Sequence, residues 1–597
     1  MVSAFIRCVG VFVIIASLAS PILAAEPRQV SGTILEEDHP VAARLYIEGP
    51  PGTFHFAHSA DPKGTAVVYD VKRSETCREQ HVTLSAHPFE VDLTPGEYTF
   101  TVERGHEYFA TKQKITVPET GDVPAVTLKL ERWIDMAARG WYSGDTHLHR
   151  KLEDVPNIVA AEDLHVALPL TYWVRGAYER PVEFPVNGNP EPKLITIEEF
   201  VPQAKRSPLK RFIWPINTEY ELFTVNGKSH TQGAVLVLNH KTPLKPGAPP
   251  VGPLSQAARD EGAILDLDKH TWNWTPMIVP VMQADLFELA NNHVWRTEFL
   301  NKSWTADVLP KDWEIETDPQ GYTERGWIDW GFKTYYAYLN CGFRMRPTGG
   351  TGSGFHPVPA GFGRVYVECP DGFSYEKWME GLNAGRSFVS TGPMLEVVFD
   401  GKPAGTVFKD AKPHTVEVKG RMAAASPYHR VELIVNGQVI PLLIDKQHLD
   451  STSTPVRVDQ YRHDSKNSTS DTYFSASVEI RGSAWIAVRC FEHRKSWASQ
   501  SCERDSHRDI FAPYTIPSKA FSIGLDPLVS RFRYAHTAPV YFEIDGPIKP
   551  RKREVNYFIQ RMEQEIARHT GVLAEDEVAE YRQALEIYQE IAKRAVE

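Results

Sequence analysis

The rhythm of apolar positions changes along the chain. Between 26 and 133 apolar and polar residues alternate, as in Phe89-Glu90-Val91-Asp92-Leu93, Tyr98-Thr99-Phe100-Thr101-Val102 and Val126-Thr127-Leu128-Lys129-Leu130. A period of two predicts strands with one buried face. Thr94-Pro95-Gly96-Glu97 reads as the turn of a hairpin joining the first two runs. From 134 to 397 the runs become nearly continuous: Val166–Leu170, Val235–Leu238, Ala263–Leu267, Leu286–Ala290 and Val365–Val367. Strands covered on both faces read this way. Polar or ionisable residues end or follow these runs: Thr171, His240, Asp268, Asn291-Asn292-His293 and Glu368. An α/β barrel gathers its site at such strand ends.

Alternation returns between 398 and 546. Thr415-Val416-Glu417-Val418 alternates, Val431–Val435 runs into Asn436-Gly437, and Ala484–Arg489 forms another strand. Asn-Gly between apolar runs is a strong hairpin signal, and the region predicts an Ig-like β-sandwich. Residues 547–597 read as helical. Val578, Tyr581, Leu585, Tyr588 and Ile591 recur at three- and four-residue spacing, and His569-Thr570-Gly571 separates them from an earlier helix at about 552–568. Such stripes predict helices packed on the body.

Length and composition bound the reading. The chain has 597 residues, too many for one core, with 42% hydrophobic and 24% charged residues. The net charge of −11 argues neither for nucleic acid nor for an anionic membrane surface. A small-molecule substrate fits better, and oligomeric state is left open. Residues 1–25 carry the pattern of an export signal: Arg7, an apolar run from Val11 to Leu18, and small residues for cleavage at Ala24 or Ala25. No later stretch is apolar enough to span a bilayer. The expectation is an exported protein, periplasmic or extracellular. Cys77, Cys341, Cys369, Cys490 and Cys502 then remain, an odd number, with Cys490 and Cys502 the best-spaced pair for a disulfide. No Cys-x-x-Cys occurs, which argues against a thiolate zinc site.

Residues 144–150 read Gly-Asp-Thr-His-Leu-His-Arg. Positions i and i+2 of a strand point to one face, so His147 and His149 can converge on one ion. A His-x-His also occurs by chance, but this one follows the aromatic turn Gly140-Trp141-Tyr142-Ser143 at the start of a region. Trp272, Trp274 and Trp295 offer a sugar-binding alternative, although clustered tryptophans are more often core.

The middle region resembles the PHP superfamily of metallohydrolases (polymerase and histidinol phosphatase), and within it the carbaryl-hydrolase-like CehA/McbA branch. The matching text is Gly144-Asp145-Thr146-His147-Leu148-His149, Leu339-Asn340-Cys341-Gly342-Phe343-Arg344 and Gly385-Arg386-Ser387-Phe388-Val389-Ser390-Thr391-Gly392-Pro393. The first region, 26–133, resembles a small prealbumin-like β-sandwich and is assigned no chemistry. The fold implied is a multidomain α/β plus β chain. A distorted (β/α)7 PHP-type barrel (134–397) is flanked by two β-sandwich domains (26–133 and 398–546), with C-terminal helices (547–597).

The resemblance also implies a ligand set. His147 and His149 match its first motif. An acid five residues on gives Asp154, with Glu153 as a rival. A strand-end glutamate matches Glu219 in Asn217-Thr218-Glu219, and a histidine some ten residues later gives His230, with His240 as competitor. The family's Thr-Asp-His reads Thr171-Tyr172-Trp173 here, so both of its ligands are replaced. Its Gly-Ser-Asp-x-His reads Gly352-Ser353-Gly354-Phe355-His356, losing the aspartate but keeping His356 at the right spacing. The implied metal ligands are therefore His147, His149, Asp154, Glu219, His230 and His356. His270 and His293 are possible substitutes, and Asp145 is read as orienting a ligand histidine.

Imidazole and carboxylate donors suit zinc, iron or manganese, as one or two ions. The reading is a metal-dependent hydrolase using a metal-activated water on an ester, carbamate, amide or phosphoester. The alternative is a catalytically decayed PHP barrel acting as a binding or structural protein.

Overall fold

The computed structural model describes residues 26–75, 77–183, 190–199, 208–297, 299–409, 411–426, 428–444, 447–448, 456–466, 469–492 and 533–597. The export-signal reading and Cys502 lie outside these residues. Cys490 is a buried thiol. Among the described residues no helix is long and apolar enough to cross a membrane.

Strands take 43% of the structure and helices 20%, so the fold is mixed α/β and strand-rich. The first region forms two six-stranded sheets around one apolar core that includes Leu45, Phe89, Phe100 and Leu128. The expected hairpin at Thr94–Glu97 is not one. Phe89–Leu93 pairs with Arg28–Glu36 in one sheet, whereas Gly96–Glu103 pairs with Thr111–Val117 and Ala43–Gly49 in the other. Alternation reports a half-buried strand but not its partner, and here the Pro-Gly segment carries the chain between sheets.

The continuous runs of the middle region are strands buried on both faces. The elements that position the site are β1 (Trp141–Leu148), β2 (Val166–Pro169), β3 (Tyr172–Gly176), β4 (Leu209–Ile213), β5 (Thr218–Val225), β6 (Lys228–Leu238), β7 (Ile264–Leu267), β8 (Leu286–Ala290), β9 (Arg346–Gly349), β10 (Arg364–Glu368) and β11 (Ser387–Ser390). Beyond them lie β12 (Tyr428–Val435), β13 (Gln438–Ile444), β14 (Ala484–Glu492) and β15 (Tyr534–Thr537).

Two large sheets result. One has seven strands and contains β3-β5-β6-β7-β8-β9 in that order. The other has thirteen, and contains β4-β2-β1-β10-β11-β15-β14-β12-β13. Among the described residues they form no closed barrel, so the seven-fold β/α barrel expectation reduces to an open two-sheet arrangement. The thirteen-stranded sheet runs straight across position 397, because β11 pairs with β15 through Phe388↔Thr537 and Val389↔His536.

Asn436-Gly437 makes the predicted two-residue turn between β12 and β13, with φ of +49° and +78°. Positive φ at both central residues is what a type I′ turn requires. The two terminal helices, Lys552–His569 and Glu575–Ala592, bury Phe558, Met562, Val578, Tyr581 and Tyr588 against the middle region. Trp272, Trp274 and Trp295 are all buried, which fits core packing better than an exposed sugar platform.

Candidate metal centre

Register alone brings the acidic residues together. Across the seven-stranded sheet Trp173 pairs with Glu219, Glu219 with Leu236, Leu236 with Asp266, and Asp266 with Leu286. Paired residues share a face, as do residues two apart on one strand. Glu219, Asp266 and Glu288 therefore project from one face, and Glu288 pairs with Thr348 on β9. Facing them, β1 of the other sheet carries His147 next to its last residue, with His149 just beyond its end.

The two histidines meet the acids. His147 Nε2 and His149 Nε2 are 3.1 Å apart. Glu219 closes the triangle, with Oε2 3.2 Å from His149 Nε2 and Oε1 3.8 Å from His147 Nε2. Bonds of about 2.0–2.2 Å to one ion place its ligand atoms about 3–3.6 Å apart, so this triangle has the dimensions of a coordination shell. Two further groups adjoin it: His147 with Asp268 and Glu288, and Glu219 with Glu221 and Asp268. These buried His, Glu and Asp clusters could hold a metal ion.

His147 is aimed by its neighbours. Its Nδ1 lies 3.1 Å from Glu288 Oε1, so the ring donates there and turns the lone pair of Nε2 toward His149. A carboxylate behind a ligand histidine is the usual outer partner at metal sites. Asp145 acts on the backbone instead: its Oδ1 accepts the His147 amide at 3.0 Å, and Oδ2 accepts Thr351 Oγ1 and the Gly361 amide. The Gly352–His356 loop completes the frame, since the Gly352 amide donates to His147 O at 2.7 Å and Ser353 O accepts the His149 amide at 2.8 Å. Gly350 leaves no room for a side chain. A Cβ there would lie 2.1 Å from Glu288 Oε1 and 2.4 Å from His147 Cβ.

The electrostatics are those of crowded acids. Burial, and then the neighbouring carboxylates, push Asp266 and Glu288 well above the usual range. Burial raises Glu219 to about 7 against the pull of His147, and burial with Glu219 raises Glu221 to about 8. Asp268 goes the other way: against burial, the largest effect, the charges of Lys269 and His147 and the hydrogen bonds from Lys269 and Trp272 together lower it. Burial and the adjacent His147 hold His149 well below its ordinary value, as a neutral imidazole. A neutral His149 beside carboxyl groups that repel one another is a fitting environment for a divalent cation.

The remaining expected ligands lie elsewhere. His230 is six residues from Leu236, the partner of Glu219, which at ~3.3 Å per residue puts it about 20 Å along β6. Its Nε2 pairs with His569 Nδ1 at 2.9 Å, on a terminal helix. Its competitor His240 is held by Thr218 Oγ1 at 2.9 Å and Thr242 O at 2.7 Å. Asp154 precedes the helix Val155–Ala161 and faces Arg150, Glu153 and Lys151. It belongs to none of the converging groups. His356 is also outside them. Its ring packs on His293 and Trp295, and it is close enough to feel His147 and His149 electrostatically. His270 is packed on Trp327 and Trp330.

Sequence reasoning missed Asp266, Glu288 and Glu221. The signal was available: Asp266 interrupts Ala263–Leu267 and Glu288 interrupts Leu286–Ala290. A carboxylate inside a strand buried on both faces needs a partner. Comparison with known proteins adds nothing to these contacts: no family model, curated protein or solved structure matches the chain.

Proposed function

We propose that the chain is an exported metal-dependent hydrolase whose ion is held by His147, His149 and Glu219. One observation carries the reading: two imidazole nitrogens lie 3.1 Å apart with a carboxylate closing the triangle, the spacing of ligand atoms around one ion. The nitrogen and oxygen donors suit zinc, iron or manganese, and the adjoining Glu219, Glu221 and Asp268 group suits a second ion. When bound, such an ion supplies Lewis acidity and makes water a stronger acid.

The chain's own groups supply the rest. Glu288 fixes the tautomer of His147. Lys269, paired with Asp268 and 5.0 Å from the Trp272 ring, carries positive charge to the edge of the cluster, where it favours negative charge on a substrate oxygen. Trp173 and Phe355 flank His149, at ring separations of 5.7 and 4.8 Å, and exclude water on that side. The substrate class is a small ester, carbamate, amide or phosphoester. The middle region is then an open relative of the PHP barrel, and the motif text quoted above supports that relationship.

A second reading is a decayed barrel with a structural ion or a binding role. The burial of the pair favours it, since His147 is 0% and His149 7% exposed. Metal analysis of gently purified protein, with hydrolysis screens over nitrophenyl esters, carbamates and phosphoesters, separates the two. The hydrolase reading expects about one or two equivalents of transition metal, and metal-dependent turnover that His147→Ala removes. Less than about half an equivalent after reconstitution excludes a tight site. Stoichiometric metal with no turnover leaves the structural ion.

A further inference from the structure

A second site, partly open to solvent, lies where the three parts of the chain meet. A cavity of about 190 Å³ is walled by Arg44 and His106 from the first region, Arg296 and Arg364 from the middle, and Glu492 and Arg533 from the last. In that measure about 10–15 Å³ holds one water, so a small polyatomic ion has room. Four guanidiniums line the cavity against three carboxylates, those of Glu103, Glu162 and Glu492, which leaves a formal excess of one positive charge.

The arginines are not equally engaged. Arg44 is bound to Glu103 and Glu162. Arg296 donates to Glu103 at 3.1 Å and to the Tyr46 hydroxyl. Arg364 has no carboxylate partner among the described residues. It is 1% exposed, and its Nε and Nη2 donate to the carbonyl oxygens of Gly361 and Glu162. Its Nη1 is buried and makes no hydrogen bond of ordinary length, and the Tyr366 hydroxyl interacts with this guanidinium. That nitrogen points to the cavity wall at Gly105, where an added Cβ would come within 3.2 Å of it. Arg533 lies over the Phe362 ring at 5.4 Å, on the same chamber. Burial, and then the charges of Arg364, Arg533 and Arg44, hold His106 well below its ordinary value. Glu79 also pairs with Arg296 at 3.7 Å and Glu492 faces Arg533, so Arg364 is the guanidinium of the chamber that stands apart from the ion pairs.

We propose that this chamber binds a small oxyanion of the phosphate, sulfate or carboxylate type, with Arg364 as the principal donor and Arg533 as the second. A buried guanidinium nitrogen with no acceptor at ordinary hydrogen-bond length is complemented by an anionic oxygen, which also brings the opposite charge. Gly361, in the wall of the chamber, donates its amide to Asp145 at 2.8 Å, and Asp145 in turn accepts the His147 amide. The oxyanion site thus adjoins the metal centre but shares no ligand with it.

Calorimetric titration of the full chain with inorganic phosphate, after chelator treatment, tests the proposal. Chelation keeps phosphate from binding through a metal, and chloride at equal ionic strength controls for screening. Expected are saturable phosphate binding and a phosphate-specific rise in Tm. Arg364→Gln and Arg533→Gln should each weaken binding by about tenfold or more, while His147→Ala leaves it unchanged. Failure of wild-type protein to bind phosphate, sulfate or acetate beyond the chloride control overturns the site. So does unchanged affinity in the arginine variants. If Arg364→Gln does not fold, the half-buried Arg533 decides the matter. Loss of phosphate binding in His147→Ala would place the anion in the metal centre instead.

Discussion

The Tyr69 hydroxyl accepts the Gly354 amide at 2.9 Å, joining the first region of the chain to the loop that frames the metal centre. The same hydroxyl donates to His356 O, and Arg73 donates to Phe355 O at 2.7 Å. Gly354 itself abuts His149, since a Cβ there would fall 2.1 Å from His149 O. The β module, assigned no chemistry from its sequence, thus holds the loop that holds both histidines. Tyr69→Phe should weaken metal binding by about tenfold, with a stability loss of about 1 kcal/mol for the buried hydrogen bond. Competition with a calibrated chelator and denaturant unfolding read the two effects. Unchanged metal affinity would reduce the contact to ordinary packing.

Glu288→Gln keeps the size of the group that orients His147 but replaces its carboxyl with an amide. Metal affinity should fall about 10–100-fold with the far-UV spectrum unchanged. The same metal titration checks it. A variant that binds as well as wild type would mean that Glu288 does not act through His147.

His230→Ala is the matching control. Its ring pairs with His569, far from Glu219, so bound metal per chain should equal that of wild type. Stability should fall by about 1 kcal/mol. Loss of metal in this variant would contradict the placement of β6.

Acid stability should depend on His536. Burial, against the pull of its Thr537 hydrogen bond, lowers it to about 3 from its ordinary 6.5. Its Nδ1 donates to Thr537 O and its Nε2 accepts from the Tyr336 hydroxyl. Below pH 6.5 the unfolded chain takes up a proton that the folded one refuses. The contribution is therefore complete above 6.5 and is lost as pH falls toward 3. The slope approaches about 1.4 kcal/mol per pH unit for one group. In His536→Gln the fall of unfolding free energy between pH 6.5 and 4 should be shallower by about that amount. An identical slope would show that His536 is already protonated in the folded state.

Much of this was legible in the chain. Continuous apolar runs gave the doubly buried strands, Asn436-Gly437 gave its turn, and the three-four spacing around Tyr581 gave the last helix. His147 and His149 followed from strand periodicity alone. Glu219 was named from a resemblance, and the structure brings its carboxylate to that pair. What failed depended on pairing, which local pattern does not carry. Alternation placed Phe89–Leu93 and Gly96–Glu103 in one hairpin, although they belong to different sheets. The resemblance implied His230 as a co-ligand of Glu219, although antiparallel register sends it to the other end of β6. Asp266 and Glu288 were passed over as parts of apolar runs, because their partners arrive only through cross-strand neighbours.

The pairing of β11 with β15 bears on how the chain must be made. Phe388–Ser390 find their outer neighbour only at Ala535–Thr537. During synthesis the middle region therefore emerges with an open strand edge, and it cannot complete its sheet until well over a hundred further residues have followed. Ordering contacts so distant in sequence is slow. A truncation at 397 would keep every ligand of the metal centre yet leave that edge bare. Its expected fate is edge-to-edge aggregation rather than a minimal enzyme.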